Sequence, residues 1–164
     1  MSESITEKPR EAIWEHLEDA RFVMLGSPNS EEHMQPMSPQ VERDTETVWF
    51  YADTGSDIVQ AVRGGDPASI VHMCYTEKDF QMCMRGSLTE YKDAAKIEQH
   101  WSPVVSAWFD RGKDDPNLTM LCFTPHHAAL WESNANAITF AFEIAKGVLG
   151  TSKPDIGDRA SVSF

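Results

Sequence analysis

Between Phe80 and Leu88 the chain alternates: Phe80, Met82, Met84 and Leu88 are apolar, while Gln81, Cys83, Arg85 and Ser87 between them are polar or small. Successive side chains of a strand point to opposite faces, so this stretch suits a β-strand with one face in a core. Its other face is polar enough to meet solvent, a ligand or another subunit. A helix cannot use the same pattern, because its apolar stripe repeats every three to four residues.

The segments around this strand follow from the same reasoning. Ile13, Trp14 and Leu17 mark an N-terminal helix over about 6–20, with Thr6 as a cap and Pro9 in its first turn. Residues 21–26 form a β-type run closed by Gly-Ser-Pro-Asn. Residues 33–40 read as an edge strand, since Pro36 and Pro39 cannot donate to a ladder. Val48–Ala52 and 68–75 are further strands, with a short helix opened by Ser56 and closed at Gly64-Gly65 between them. A helix is expected over 92–101 and a shorter one toward Phe109; Leu118–Phe123 is extended, and the extension continues to Trp131. Ile138, Ala141, Phe142, Ala145, Val148 and Leu149 outline an amphipathic C-terminal helix over about 134–149, ended by Gly150. The tail 151–164 is polar until Val162 and Phe164. Five or six strands with helices at the ends predict an α+β fold on an antiparallel sheet or barrel, as one domain over 1–164.

Composition narrows the function. With 164 residues, 41% hydrophobic, the chain can bury a core. Asp and Glu outnumber Lys and Arg by 26 to 14, for a net charge of −12, which argues against nucleic acid and anionic membrane partners. The N-terminus is charged throughout and there is no long apolar run, so neither a signal peptide nor a span is expected and a cytoplasmic location is inferred. Cys74, Cys83 and Cys122 read as reduced, buried thiols with no disulfide indicated, although Arg85 lies two residues from Cys83 on the same strand face and could lower its pKa. The histidines show no metal-ligand spacing, so no metal is expected. No acid/base pair or nucleophile can be named. Trp49, Tyr51, Trp101, Trp108, Phe109 and Trp131 supply large rings of the kind that stack on a flat heteroaromatic ligand, or that simply fill a core.

Taken in order, Ile13–Leu25, Gln35-Pro-Met37, Val48–Asp53, Ser56, Gln81–Gly86, Trp101-Ser-Pro, Ala107-Trp-Phe109, Asp114-Asp-Pro116, Leu118–Pro125, Leu130–Ser133, Phe142–Gly150 and Asp155–Phe164 resemble the pyridoxamine 5'-phosphate oxidase-like, FMN-binding split-barrel superfamily. The likeness is to its general stress protein branch. The resemblance implies a six-stranded split barrel, dimeric, with a flavin (FMN, or FAD) in each of two clefts at the subunit interface. It implies that Gln35, Pro36, Met37 and Ser38 lie along the flavin ring and ribityl chain. Tyr51 and Ala52 would meet the ribityl-phosphate region and Ser56 would open a helix facing the phosphate, where free amides favour an anion. Gln81 would hydrogen-bond the flavin and Trp131 would lie near its ring. Gln35, Asp57 and Ile58 stand where such proteins often carry basic residues, with Arg21, Arg63 or a second subunit left to compensate. Segment 157–164 holds one cation, Arg159, which argues against oxidation of pyridoxamine phosphate itself. The resemblance therefore implies a flavin-binding stress protein with redox activity on a small substrate. The alternatives are a non-enzymatic flavin or small-ligand buffer, and a cofactor-less barrel acting through its dimer surface.

Overall fold

The structure is a computed structural model that describes residues 5–133 and 136–164. Helix α1 (Pro9–Asp19) is followed by β1 (Val23–Gly26), β2 (Gln35–Met37), β3 (Gln40–Glu42), β4 (Thr47–Asp53), α2 (Asp57–Arg63), β5 (Ile70–Thr76) and β6 (Phe80–Tyr91). Then come α3 (Ala94–His100), α4 (Pro103–Ser106), β7 (Leu118–Glu132), α5 (Ala137–Val148) and β8 (Asp158–Ser163). The sheet is antiparallel in the order β2-β1-β5-β6-β7-β4-β3, and β8 joins the far half of β7. The outermost strands of that path, β2 and β3, are joined by only Ser38-Pro39, so the sheet must curl until its two edges meet. The expected α+β class and antiparallel sheet stand, the sheet curling into a half-barrel, but eight strands form where six were expected. The stretch 33–40 contributes β2 and only the start of β3, because Pro39 removes a ladder donor where the chain turns from one edge to the other. The polar tail, not expected to be a strand, supplies β8.

Strand β7 organises the barrel. Its first half pairs with β4 and its second half with β8, while β6 runs along its whole other edge. The β6–β7 register shifts between Arg85 and Gly86. Pro125 lies there, facing Gly86, and a Cβ on Gly86 would stand 2.3 Å from the Thr124 carbonyl oxygen. A missing N–H and a missing side chain thus meet at a bulge.

The alternation at Phe80–Leu88 is realised as expected: Phe80, Met82, Met84 and Leu88 are buried in the main core. That core also takes Ile13, Trp14 and Leu17 from α1, Ile58, Val59 and Val62 from α2, and Val48, Phe50 and Ala52 from β4. A second cluster lies on the outer face of β4 and β7, where Trp49, Leu118, Met120 and Cys122 pack under Ile97 and Phe109. With both faces covered, Leu118–Phe123 is buried at every position. Lys96 and His100 of α3 clamp Glu42 of β3 at 2.6 and 2.9 Å, fixing α3 over this cluster.

The C-terminal helix begins at Ala137 and stops with Gly150 in the left-handed region (φ 69°); positions 134 and 135 of the expected helix lie outside the described residues. Its apolar residues do not face the core. Ile138, Phe142, Val148 and Leu149 are 63–83% exposed, while Glu143 is buried, accepting from the Asp155 N–H and pairing with Lys146.

Candidate functional site

On the other half of the barrel the outer sheet face has, among the described residues, no helix packed closely against it. Direct cross-strand partners align there as Thr76, Gln81, Trp131 and Arg159, drawn from β5, β6, β7 and β8. Gln81 and Trp131, fifty residues apart in sequence, are thus adjacent side chains on one open face. Gln81 Nε2 donates to the Glu77 carbonyl at 2.8 Å, which uses one of the amide's donors. Trp131 is 40% exposed, and the Arg159 guanidinium lies 5.5 Å from its ring centre. Met24, also exposed, faces Cys74 on the next row, and exposed Phe22 precedes β1. Beside Gln81 is an open groove of about 400 Å³ lined by His16, Glu77, Lys78, Asp79, Phe80 and Glu132. Its volume is of ligand size, but its three carboxylates oppose an anion.

A second depression lies between the end of β1, β2 and the start of α2. It is lined by Gly26, Ser27, Ser30, Glu32, His33, Gln35, Asp57 and Ile58, among others. Its enclosed part is about 30 Å³, room for a water or two and not for an aromatic ring system. Gln35 and the start of α2 therefore do come together, with carboxylates from Glu32 and Asp57 beside them. Ile58 is turned into the core. Of the compensating cations considered, Arg63 is held by Glu90 through two hydrogen bonds of 2.7 and 2.8 Å, and Arg21 lies over Phe22. The Ser56 hydroxyl donates back to the Asp53 carbonyl and does not cap the helix amides.

The remaining expected residues are placed differently from one another. Pro36 and Ser38 are exposed on the edge, while Met37 packs on the main core. Ala52 is buried. The Tyr51 hydroxyl donates to the Ile97 carbonyl at 2.7 Å and its ring meets Trp101 edge-on, so this side chain belongs to the second cluster. Burial, reinforced by the Glu98 carboxylate, pushes its phenol up to about 12. Since β3 pairs only as far as Trp49, the outer backbone edge at Tyr51 and Ala52 carries no β3 partner. Of the other large rings, Trp101 packs with α3 on the second cluster and Trp108 is 80% exposed.

The sequence reading missed one pairing. Cys74 and Cys83 are half-buried and face each other across β5 and β6, with the Cys74 S–H donating to Cys83 Sγ at 3.4 Å. That contact holds the Cys83 thiol down at about 7, against the opposing effect of burial, so the lowering comes from Cys74 and not from Arg85. The signal was there: residues equidistant from a tight turn at Lys78-Asp79 must face each other in a hairpin. Among the described residues no group of three or more His, Cys, Asp or Glu is arranged to hold a metal ion, and no helix is long and apolar enough to cross a membrane.

Comparison with known proteins agrees with this architecture. A general stress protein 26 from Jannaschia sp. CCS1 has a solved structure that superposes with a TM-score of 0.76 at 31% identity, covering 96% of this chain and 99% of that one. The general stress FMN/FAD binding protein of Xanthomonas citri superposes at 0.69 with 30% identity, over 79% of this chain and 92% of that one. A pyridoxamine 5'-phosphate oxidase-related, FMN binding protein of Nostoc punctiforme PCC 73102 shares the fold, with a TM-score of 0.60 at 15% identity and 96% of each chain covered. Comparison with curated proteins gives no match. The sequence profile described as "pyridoxamine 5'-phosphate oxidase like" matches residues 8–155, and the chain belongs to that family.

Proposed function

We propose that this protein is a flavin-binding protein of the general stress type that takes FMN, or FAD, and acts as a homodimer with redox turnover of the flavin on a small substrate. The observation that carries the reading is the juxtaposition of Gln81 and Trp131 on an uncovered sheet face. Amide hydrogen bonding and a partly exposed indole are the chemistry a flat, polar-edged ring requires. Gln81 and Trp131 would hold the ring. The β2 edge, Gln35 to Ser38, would run along the ring and ribityl chain, and the free backbone edge at Tyr51–Ala52 would meet the ribityl-phosphate end near Ser56. A bound flavin supplies hydride and electron transfer, and the chain supplies orientation and electrostatics. The exposed apolar residues of α5 support self-association, because a surface helix normally turns that stripe inward. Sedimentation of Phe142→Glu against the wild type tests this: a dimer that becomes a folded monomer is the expected result, and a wild-type monomer would refute it.

A second reading has its own support. The depression beside Gln35 holds Glu32 and Asp57 while Arg63 is engaged by Glu90, which favours a flavin or small-ligand buffer without turnover. Titration of the dialysed protein with FMN, FAD and riboflavin, followed by fluorescence, decides whether a flavin is bound. Tight FMN and weak riboflavin binding would mean that the phosphate is recognised despite those carboxylates. Gln81→Ala and Trp131→Ala should each weaken binding, and unchanged affinity in both would remove the site assignment. Turnover of a reduced nicotinamide above free flavin would identify an oxidoreductase, and its absence a buffer. No saturable binding to any of the three would leave a barrel that works through its surfaces.

A further inference from the structure

We infer that Cys74 and Cys83 form a redox-active dithiol that a hydroperoxide closes into a cross-strand disulfide, with Cys83 as the attacking sulfur and Cys74 as the resolving one. The inference is independent of flavin binding. Cys74 and Cys83 are direct partners in the β5–β6 register. Opposed residues of antiparallel strands have Cα atoms about 4.5–5.5 Å apart, inside the window of about 4.4–6.8 Å that a disulfide spans. The sulfurs are already 3.4 Å apart, so side-chain rotation closes the bond without moving the strands. Both are half-buried on the uncovered outer face, where a small oxidant can reach them, and they lie one row from Gln81. The direction of the Cys74–Cys83 hydrogen bond assigns the roles: the sulfur that accepts an S–H is the one stabilised as thiolate. Cys122 is buried in the second cluster, and burial raises its thiol, which makes it an internal control.

The chemistry balances as follows. The Cys83 thiolate attacks one peroxide oxygen and the O–O bond breaks. Cys83 becomes a sulfenic acid, and the departing hydroxide takes a proton from solvent and leaves as water. The Cys74 sulfur then attacks the Cys83 sulfur and displaces hydroxide, which takes the Cys74 proton as a second water. Two thiols are oxidised by two electrons and one peroxide is reduced to two waters.

Hydrogen peroxide, added at one equivalent per chain to the native protein and followed by quenching and unfolding, tests the inference. The three thiols should fall to one, the intact mass should fall by two hydrogens, and a peptide joining Cys74 to Cys83 within one chain should appear. Dithiothreitol should restore all three thiols. In Cys74→Ser a sulfenic acid on Cys83 should be trapped by dimedone, and in Cys83→Ser peroxide should be consumed at least about tenfold more slowly. Independently of either variant's folding, native wild-type protein at neutral pH should alkylate at Cys83 at least about tenfold faster than at Cys122. Three surviving thiols, a link between two chains, a link involving Cys122, or equal alkylation of Cys83 and Cys122 would each overturn it.

Discussion

Glu42 is the most informative single side chain for the architecture, because one carboxylate holds α3 over the second cluster. It is 11% exposed and accepts from Lys96 at 2.6 and 2.8 Å, from His100 Nε2 at 2.9 Å and from Gln99 at 3.2 Å. Replacement by glutamine keeps the shape and one acceptor and removes the charge. A hydrogen bond to a charged group contributes about 1.5–3 kcal/mol. The contributions do not add, and Lys96, 26% exposed, can turn to water. Glu42→Gln should therefore cost about 2–4 kcal/mol, or about 4–16 °C in Tm for a chain of this length. The effect has a pH signature. Burial pushes the Glu42 carboxyl up, but hydrogen bonds from Lys96 and His100 and their charges outweigh it, so the folded value lies below 4.5. A depressed carboxylate contributes its full stability above the unfolded value and loses it as pH falls through the folded one. In urea unfolding, the gap between wild type and Glu42→Gln should be present at neutrality and shrink once pH passes below 4.5. A gap under about 0.5 kcal/mol at neutral pH, the size of an ordinary surface change, would refute the reasoning. So would a gap that persists undiminished well below that pH.

Three further outcomes follow from other parts of the molecule. Gly86→Ala places a Cβ 2.3 Å from the Thr124 carbonyl oxygen and 2.7 Å from Phe123 Cζ; it should destabilise by about 2–3 kcal/mol or more in chemical denaturation, since backbone has to yield. Phe164 packs on α1, with Trp14 edge-on at 5.9 Å and the Arg10 guanidinium 4.8 Å from its ring, so Phe164→Ala should cost about 1.5–2.5 kcal/mol in the same assay, part of the loss of a fully buried ring. The phenols of Tyr51 and Tyr75 are both pushed up to about 12, chiefly by burial. The stability of their neutral forms is present below 10 and lost as pH rises through the folded value. Ultraviolet titration of the native protein should show these two ionising near pH 12, and the step should move to about 10 in denaturant.

Much of this molecule is legible in local pattern. The period-two alternation of Phe80–Leu88 determined both a strand and which of its faces is core. Pro36 and Pro39 placed their segment at a sheet edge, and Gly150 ended the last helix, because each residue restricts or frees the backbone at its own position. Such signals act within a few residues, so the sequence alone determines them. What lies across the sheet is not of that kind. No local rule brings Trp131 beside Gln81, because their pairing depends on the β6–β7 register and on the bulge at Gly86 and Pro125. The tail became β8 only because the far half of β7 offered a free edge, and Arg159 thereby came to lie over Trp131. Tyr51 looks from its motif like a ligand contact, yet its hydroxyl is claimed by a helix some forty residues later. The same holds for α5, whose amphipathic pattern shows a stripe that needs covering and not what covers it. Local sequence determined the elements and their buried faces, while tertiary structure decided which side chains share a surface, since that depends on pairings between segments far apart in the chain.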